Sequence, residues 1–526
     1  LAAPLAAWAA PVRSAPVPRA FLDGTFYFSV ATEGGNEVDG SIAGVSQLER
    51  VRFVFEDRFL VVELAEDTYS NPDDPSLRAV VARFPYTARG EAVDVAWGDD
   101  PSPFVTQVST RTRRGTQVVR YTAAGAHDVA GFEVDAARGL LTFVKHLSAT
   151  GDNGDRKDYR VRYNFLKQAP TEFQPKKFKA SDAKNFGFFA TSTDALTDPE
   201  TGHLEEKSFL MRIDASKTFT YELHPTVPEV CRKPITEAIL SWNDVFEART
   251  GKRPLAVVDG AVDHMPGDLR YHVVYFRTRG YREGGYSAYG PPVAIAHTGE
   301  VVDADVIVDG TRLMGEYQKL KAAEAKRLSA AEEEAEKAKP AATAALPSEP
   351  KTEVVQFLLN RVALGSGPAA PDHFPSVRDV LERIREEGEA KKEPVPADEA
   401  FYYLVRGLMT HEVGHNLGLR HNFAASTDAA HIPEGTVSTS IMDYTELHAG
   451  HHGPKAYDAA AIAFGYEGDL KPSEVGTLRF MTDHHAETEP MANRHDLGDP
   501  FTYYTRVIEK VCMAAIRKGA KPAYPV

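Results

Sequence analysis

The sequence predicts an α+β protein in which a β-rich N-terminal region precedes a larger mixed region built round one long helix. Three observations carry that prediction. Residues 20–170 hold short β-branched and aromatic runs divided by turn residues, the pattern of a sheet. From about Ser208 strand-like runs alternate with amphipathic helices. Further on, a helical stripe of Phe401, Leu404, Val405 and Leu408 continues by threes and fours onto His411, Glu412 and His415, polar groups where packing alone would place leucine. The chain therefore divides into a tail (1–20), a β-rich domain (21–200) and a mixed domain (201–526).

Composition sets outer limits. A chain of 526 residues, 43% hydrophobic and 26% charged, suits two or three ordinary globular domains. The net charge of −15 argues against nucleic acid or an anionic membrane surface as principal partner. No stretch has the roughly 20 apolar residues of a membrane-spanning helix. The small, apolar opening from Leu1 to Ala10 reads as the tail of a signal peptide or a trimmed terminus, which suits a secreted, periplasmic or cell-envelope protein. Cys231 and Cys512 form one disulfide or stay free.

In the first region, strands are expected at Phe26–Val30, Val51–Phe55, Phe59–Leu64 and Gln117–Tyr121, with turns at Glu33–Asn36 and Asn71–Asp74. The acid-rich Gly151–Asp155 lacks the spacing of a calcium loop and reads as a solvated hairpin turn. The region holds no catalytic constellation and is either an accessory domain or a folded prodomain. The polar stretch Gln168–Thr201, broken by Pro170, Pro175 and Pro199, reads as the connection to the mixed region.

The mixed region begins with a strand at Lys217–Leu223. A helix comes next over Pro234–Thr250, with Ile235, Ala238, Ile239, Trp242, Val245 and Phe246 on one face. Strands are expected at Leu255–Val258, Leu269–Phe276 and Thr298–Asp309. An insertion at about 316–350 comprises a solvated Ala/Glu/Lys helix and an Ala/Pro/Ser linker, and a further helix is expected at Ser376–Glu387. Asp398 is the expected N-cap of the long helix. The histidines His448, His451, His452, His484, His485 and His495 read as surface loop residues, and Tyr457–Phe464 as a helix.

The chemistry concentrates in residues 411–421, which read H-E-x-x-H-x-x-G-x-x-H. Helical neighbours four apart, His411 and His415 can hold one ion between them. Glu412 beside them can accept a proton from water activated by that ion. Gly418 lets the backbone leave the helix in a left-handed conformation and return His421 as third ligand. Three protein ligands leave one tetrahedral position open, the catalytic rather than the structural arrangement.

Together with Ser440-Ile441-Met442-Asp443-Tyr444, this motif resembles the metzincins, and residues 208–470 follow the order of their upper subdomain. It is closest to bacterial zinc-dependent metalloproteases with a large uncharacterised N-terminal domain, which share T-G-E-x-x-x-A-D, H-E-x-G-H-x-L-G-L-R-H-N and S-x-M-D-Y stretches. The resemblance implies one catalytic Zn2+ on His411, His415 and His421, with Met442 as the Met-turn floor. It also implies that Tyr444 is a further ligand or oxyanion stabiliser, and that a peptide or protein substrate pairs with the last strand as the sheet edge of a cleft. Asn422 departs from the pattern: astacins have Glu there, serralysins Pro and matrixins commonly Ser, so their specificity does not carry over. The expected function is zinc endopeptidase; the alternatives are a catalytically idle fold that binds peptide or a protein partner, and a hydrolase of non-peptide amides. Nothing in the sequence fixes oligomeric state.

Overall fold

A computed structural model describes residues 13–337 and 395–485, except 36–46, 66–78, 100–103, 113–114, 124–126, 180, 199–202, 261–263, 279–287, 291, 435, 445–452, 469, 472–477 and 484. The linker expected at 340–350, the helix expected at 376–387, His448, His451, His452, His484, His495 and Cys512 lie outside the described residues.

The N-terminal region is a large, mostly antiparallel sheet. Its strands are β1 (Ala15–Pro18), β2 (Thr25–Gly35), β3 (Gln47–Glu56), β4 (Phe59–Leu64), β5 (Val80–Arg89), β6 (Ala92–Val95), β7 (Phe104–Thr112), β8 (Gly115–Ala123), β9 (Asp128–Asp135), β10 (Leu140–Gly151) and β11 (Arg156–Lys167). They run in the order β1-β6-β5-β4-β3-β2-β11-β10-β8-β7, with β9 also on β10. All four strands expected from sequence are there, and Gly151–Asp155 is the β10–β11 hairpin turn. Side chains alternate across a strand, and in β11 Tyr159, Val161, Tyr163 and Phe165 face a core centred on the fully buried Trp97. Phe84 and Phe143 lie against that indole at ring-centroid distances of 4.9 and 5.1 Å. Of the alternate residues of β11, Arg162 and Asn164 are buried as well, so the opposite face of this strand is also covered.

The chain after β11 has structure of its own. It contains the hairpin β12 (Ala190–Asp198) and β13 (His203–Leu210), and Phe173, Phe186 and Phe188 are buried.

The mixed region has a second sheet of β14 (Phe219–Leu223), β15 (Leu255–Asp259), β16 (His272–Arg277), β17 (Ala288–Tyr289) and β20 (Val306–Asp309), ordered β15-β14-β16-β20-β17. The first four of that order run parallel and β17 is antiparallel to β20. Between β14 and β15, helix α1 (Glu229–Thr250) starts before Pro234 and ends on Gly251, which takes φ +69°. Two strands leave this sheet: β18 (Pro292–Ile295) and β19 (Val301–Ala304) form a hairpin whose β18 pairs in parallel with β3, at Ala294–Gln47 and Ile295–Leu48. The strand expected over Thr298–Asp309 is therefore bent into two. Asp305 is the corner, and its carboxylate accepts the backbone N–H groups of Gly267 (2.6 Å) and Val273 (2.7 Å). The edge on this side of the sheet is consequently β17, which covers β20, and not the last strand; β15 is the other edge.

Residues 317–400 form a compact unit of their own; the remainder of the chain forms the other. That smaller unit contains most of α2 (Gly310–Lys337), the helix expected in the insertion, and the first turn of α3 (Ala397–Asn416). Asp398 lies inside this turn rather than capping it, and accepts from Tyr317 Oη (2.7 Å) and Lys321 Nζ (2.8 Å). A further helix, α4 (Ala456–Tyr466), is buried along most of its length. No described helix is long and apolar enough to cross a membrane.

Candidate metal centre

The C-terminal half of α3 is buried on every side. Phe401, Val405, Met409 and Val413 fill core positions, and the indole of Trp242 on α1 donates to Thr410 O (3.1 Å). Along the same helix His411, Glu412 and His415 are buried too. At Gly418 φ reaches +95°, and a Cβ there would lie 2.0 Å from Met211 O, so both conformation and space demand glycine. The chain turns at this point and brings His421 back. The ligand atoms of His411, His415 and His421 then lie within 4.8 Å of one another, the one such group among the described residues.

Each ring has its Nδ1 engaged. His411 donates to Ile441 O (2.8 Å), His415 to Leu419 O (2.8 Å), and His421 to Asp483 Oδ2 (3.1 Å). The remaining nitrogen of each ring, Nε2, is the one left for a metal. Burial and the neighbouring rings push His415 down to about 3 and His411 well below its ordinary value, so both are neutral and fit to ligate. Neutral imidazoles with oriented Nδ1–H groups are the donor set of a catalytic zinc site. The residues present fit the ion.

Glu412 does not join the donors. Burial pushes its carboxyl up to about 8, and the Gly290 N–H acts in the opposite sense. Gly290 comes directly after β17 and is tied to α3 a second time, its carbonyl accepting from Asn416 Nδ2 (3.0 Å). A Cβ on Gly290 would sit 2.7 Å from Glu412 O, so glycine permits this approach. Tyr221 Oη donates to Asn416 Oδ1 (3.0 Å), which docks the interior strand β14 on the same side chain.

Met442 is fully buried beneath the helix. Its N–H donates to Ser440 Oγ (3.0 Å) and its carbonyl accepts from Asn422 N (3.0 Å). Asp458 on α4 holds the turn from outside, accepting from Ser440 Oγ (2.6 Å) and Ile441 N (2.8 Å). The Tyr444 ring lies 4.6 Å from that of His421 and 5.6 Å from that of His411.

Sequence reasoning missed four residues of this site. Gly414 sits between the first two histidines, where a Cβ would be 2.4 Å from Met442 Sδ. A glycine inside a helix costs about 1 kcal/mol against alanine, and that was a readable sign of close approach. Asn416 and Asp483 left no local signal. Phe189 reaches the site from the connection, its ring 5.6 Å from that of His415. There the backbone is paired: Phe189 N donates to Gly418 O (2.7 Å) and Arg420 N to Gly187 O (2.9 Å).

Residues 393–518 match a protein-family model described as Met-zincin, and this span takes in the three histidines, Glu412, Met442 and Tyr444. No curated protein and no solved structure matches the chain. The C-terminal part of the chain is thus metzincin-like, with a large β-rich region ahead of it.

Proposed function

We propose that the protein is a zinc-dependent endopeptidase. The observation that carries the reading is the donor set itself: three imidazoles, each with Nδ1 oriented, converging beside a buried carboxyl that is not one of them. Zinc held by His411, His415 and His421 would polarise a scissile carbonyl and make water a nucleophile at neutral pH. Burial pushes the Glu412 carboxyl up to about 8; a cation held beside it would favour the carboxylate, which would take the proton of the attacking water and return it to the leaving amine. Tyr444, whose ring lies beside that of His421, would stabilise the oxygen that gains charge. Met442 and Gly414 shape the apolar floor that keeps the rings in place. An extended peptide pairs with the outer edge of β17, the strand that Gly290 fastens to α3.

Glu412→Ala tests the reading. The variant is expected to retain zinc and to lose casein-type hydrolysis by a factor of about 10²–10⁴. Loss of zinc in the variant would make Glu412 a ligand. A wild-type protein that binds zinc and peptide without hydrolysis would replace the endopeptidase with the idle binding module.

A further inference from the structure

The three ligand rings do not share one kind of acceptor. His411 and His415 hand their Nδ1 protons to main-chain carbonyls, both close to the motif in space. His421 instead meets a carboxylate, with Asp483 Oδ2 at 3.1 Å and Oδ1 at 3.3 Å, from 62 residues further along the chain. This ring is also the least constrained of the three. It lies beyond Gly418, off the helix, and its side chain is 17% exposed.

Asp483 is delivered by the residue at which the motif departs from the better-known metzincins. Asn422 is fully buried directly after His421. Its Nδ2 donates to Arg479 O (2.9 Å) and its Oδ1 accepts from Met481 N (3.2 Å). One residue on, Phe423 N donates to Met481 O (2.7 Å). Arg479 N is tied in turn to Asp428 Oδ2 (3.0 Å). These bonds lay residues 479–483 along the loop that carries His421, and the carboxylate arrives at Nδ1 as a result. The Arg420 guanidinium lies 3.7 Å from Asp483 Oδ2.

We propose that Asp483 is a positioning residue for the metal, with Asn422 as the clamp that holds it in place. The carboxylate fixes His421 as the Nδ1–H tautomer, aims Nε2 at the other two rings, and adds negative charge that strengthens the nitrogen as a donor. An astacin-type Glu or a serralysin-type Pro at position 422 could not reproduce the paired amide contacts, since neither offers a donor and an acceptor together. The inference rests on the metal-centre reading above and concerns affinity for the ion before it concerns rate.

The test measures zinc affinity by chelator competition, with far-UV circular dichroism of each metal-free variant as the control for folding. Asp483→Ala is expected to fold and to bind zinc about 10–100-fold more weakly. Asp483→Asn keeps an acceptor but not the charge and should fall between wild type and Asp483→Ala; Asp483→Glu should recover part of the loss. The cobalt-substituted protein adds a spectroscopic reading, because a misoriented His421 changes the visible ligand-field bands while a remote packing defect does not. Asp483→Ala with wild-type zinc affinity and an unchanged cobalt spectrum overturns the proposal. If Asp483→Ala fails to fold, wild-type affinity in the near-isosteric Asp483→Asn overturns it equally. A wild-type protein that binds no zinc at these histidines removes the metal-centre reading, and this inference with it.

Discussion

Two clusters of buried polar side chains lie in the same compact unit and solve burial in different ways. At the histidine triad burial disfavours charge on two rings: His415 is pushed down to about 3, and His411 well below its usual value. Around Glu33 acidic and basic groups are paired with one another. Arg162 bonds Glu33 (2.7 Å) and pairs with Asp268 (3.1 Å), Arg160 bonds Glu33 (2.9 Å), and Arg270 joins Asp268 (2.7 Å) to Glu133. Burial alone would raise the Asp268 carboxyl, but the Arg270 hydrogen bonds and the charge of Arg162 overcome it and hold it below the usual carboxylate range. Three guanidinium groups thus face three carboxylates across the seam between the N-terminal sheet and the residues leading into β16. The imidazole set presents donors to a cation from outside; the ion-paired set matches its own charges and joins two surfaces.

Removing the metal is the harshest way to test that difference. Chelation is expected to abolish hydrolysis entirely and leave the far-UV dichroism of the β-rich region intact, with activity returning when zinc is restored. The loss in stability should equal the ligand-binding contribution, about 4 kcal/mol at a zinc concentration a thousand times Kd. Unfolding of the metal-free protein would show the site to be structural as well, and the contrast with the charged seam would disappear.

At the seam the opposite outcome is expected. Arg162→Ala leaves Glu33 and Asp268 buried with one partner fewer each, and breaking a buried pair from one side costs about 3–5 kcal/mol. Urea unfolding should record that loss, while the folded protein keeps its zinc affinity. A variant as stable as wild type would mean that water reaches these carboxylates; one that folds normally but loses zinc would mean that the two clusters are coupled.

How much could be read from the sequence depends on how far apart the participating residues lie. The metal centre was legible because one short run, residues 411–421, carries its three ligands, and helical periodicity alone puts two of them on one face. The strands of the first region were legible for the same reason: alternation is local. The seam was not, because Glu33 and Arg162 are 129 residues apart, and Arg162 stands in a strand whose pattern says only that one face is apolar. Asp483 was missed on the same ground. The bend at Asp305 was missed because a continuous run from Val301 to Asp309 has the composition of one strand, and only the backbone groups of Gly267 and Val273 reveal the corner. The sheet edge fell to the wrong strand because β17 is two residues long, too short for any pattern.

The smallest expected effect decides what the N-terminal region is for. A prodomain must leave without damaging the site it covers, so its connection should touch the catalytic half lightly. Here residues 187–189 pair with the loop of Gly418 and Arg420, and Tyr457 Oη accepts from Gly187 N (3.0 Å). Lys176 donates to Phe464 O and Gly468 O at the end of α4, where Arg212 also donates to Gly465 O (2.8 Å). Beyond the connection, β18 extends the N-terminal sheet from within the mixed region. We therefore propose that residues 21–200 are a permanent accessory domain, whose departure would strip β18 of its partner and expose the charged seam. Limited proteolysis between residues 168 and 201, with gel filtration afterwards in the absence of denaturant, should give two fragments that elute together with hydrolysis unchanged. Separation of the fragments with a sharp rise in hydrolysis would make the region a prodomain after all, and the seam a latch that opens.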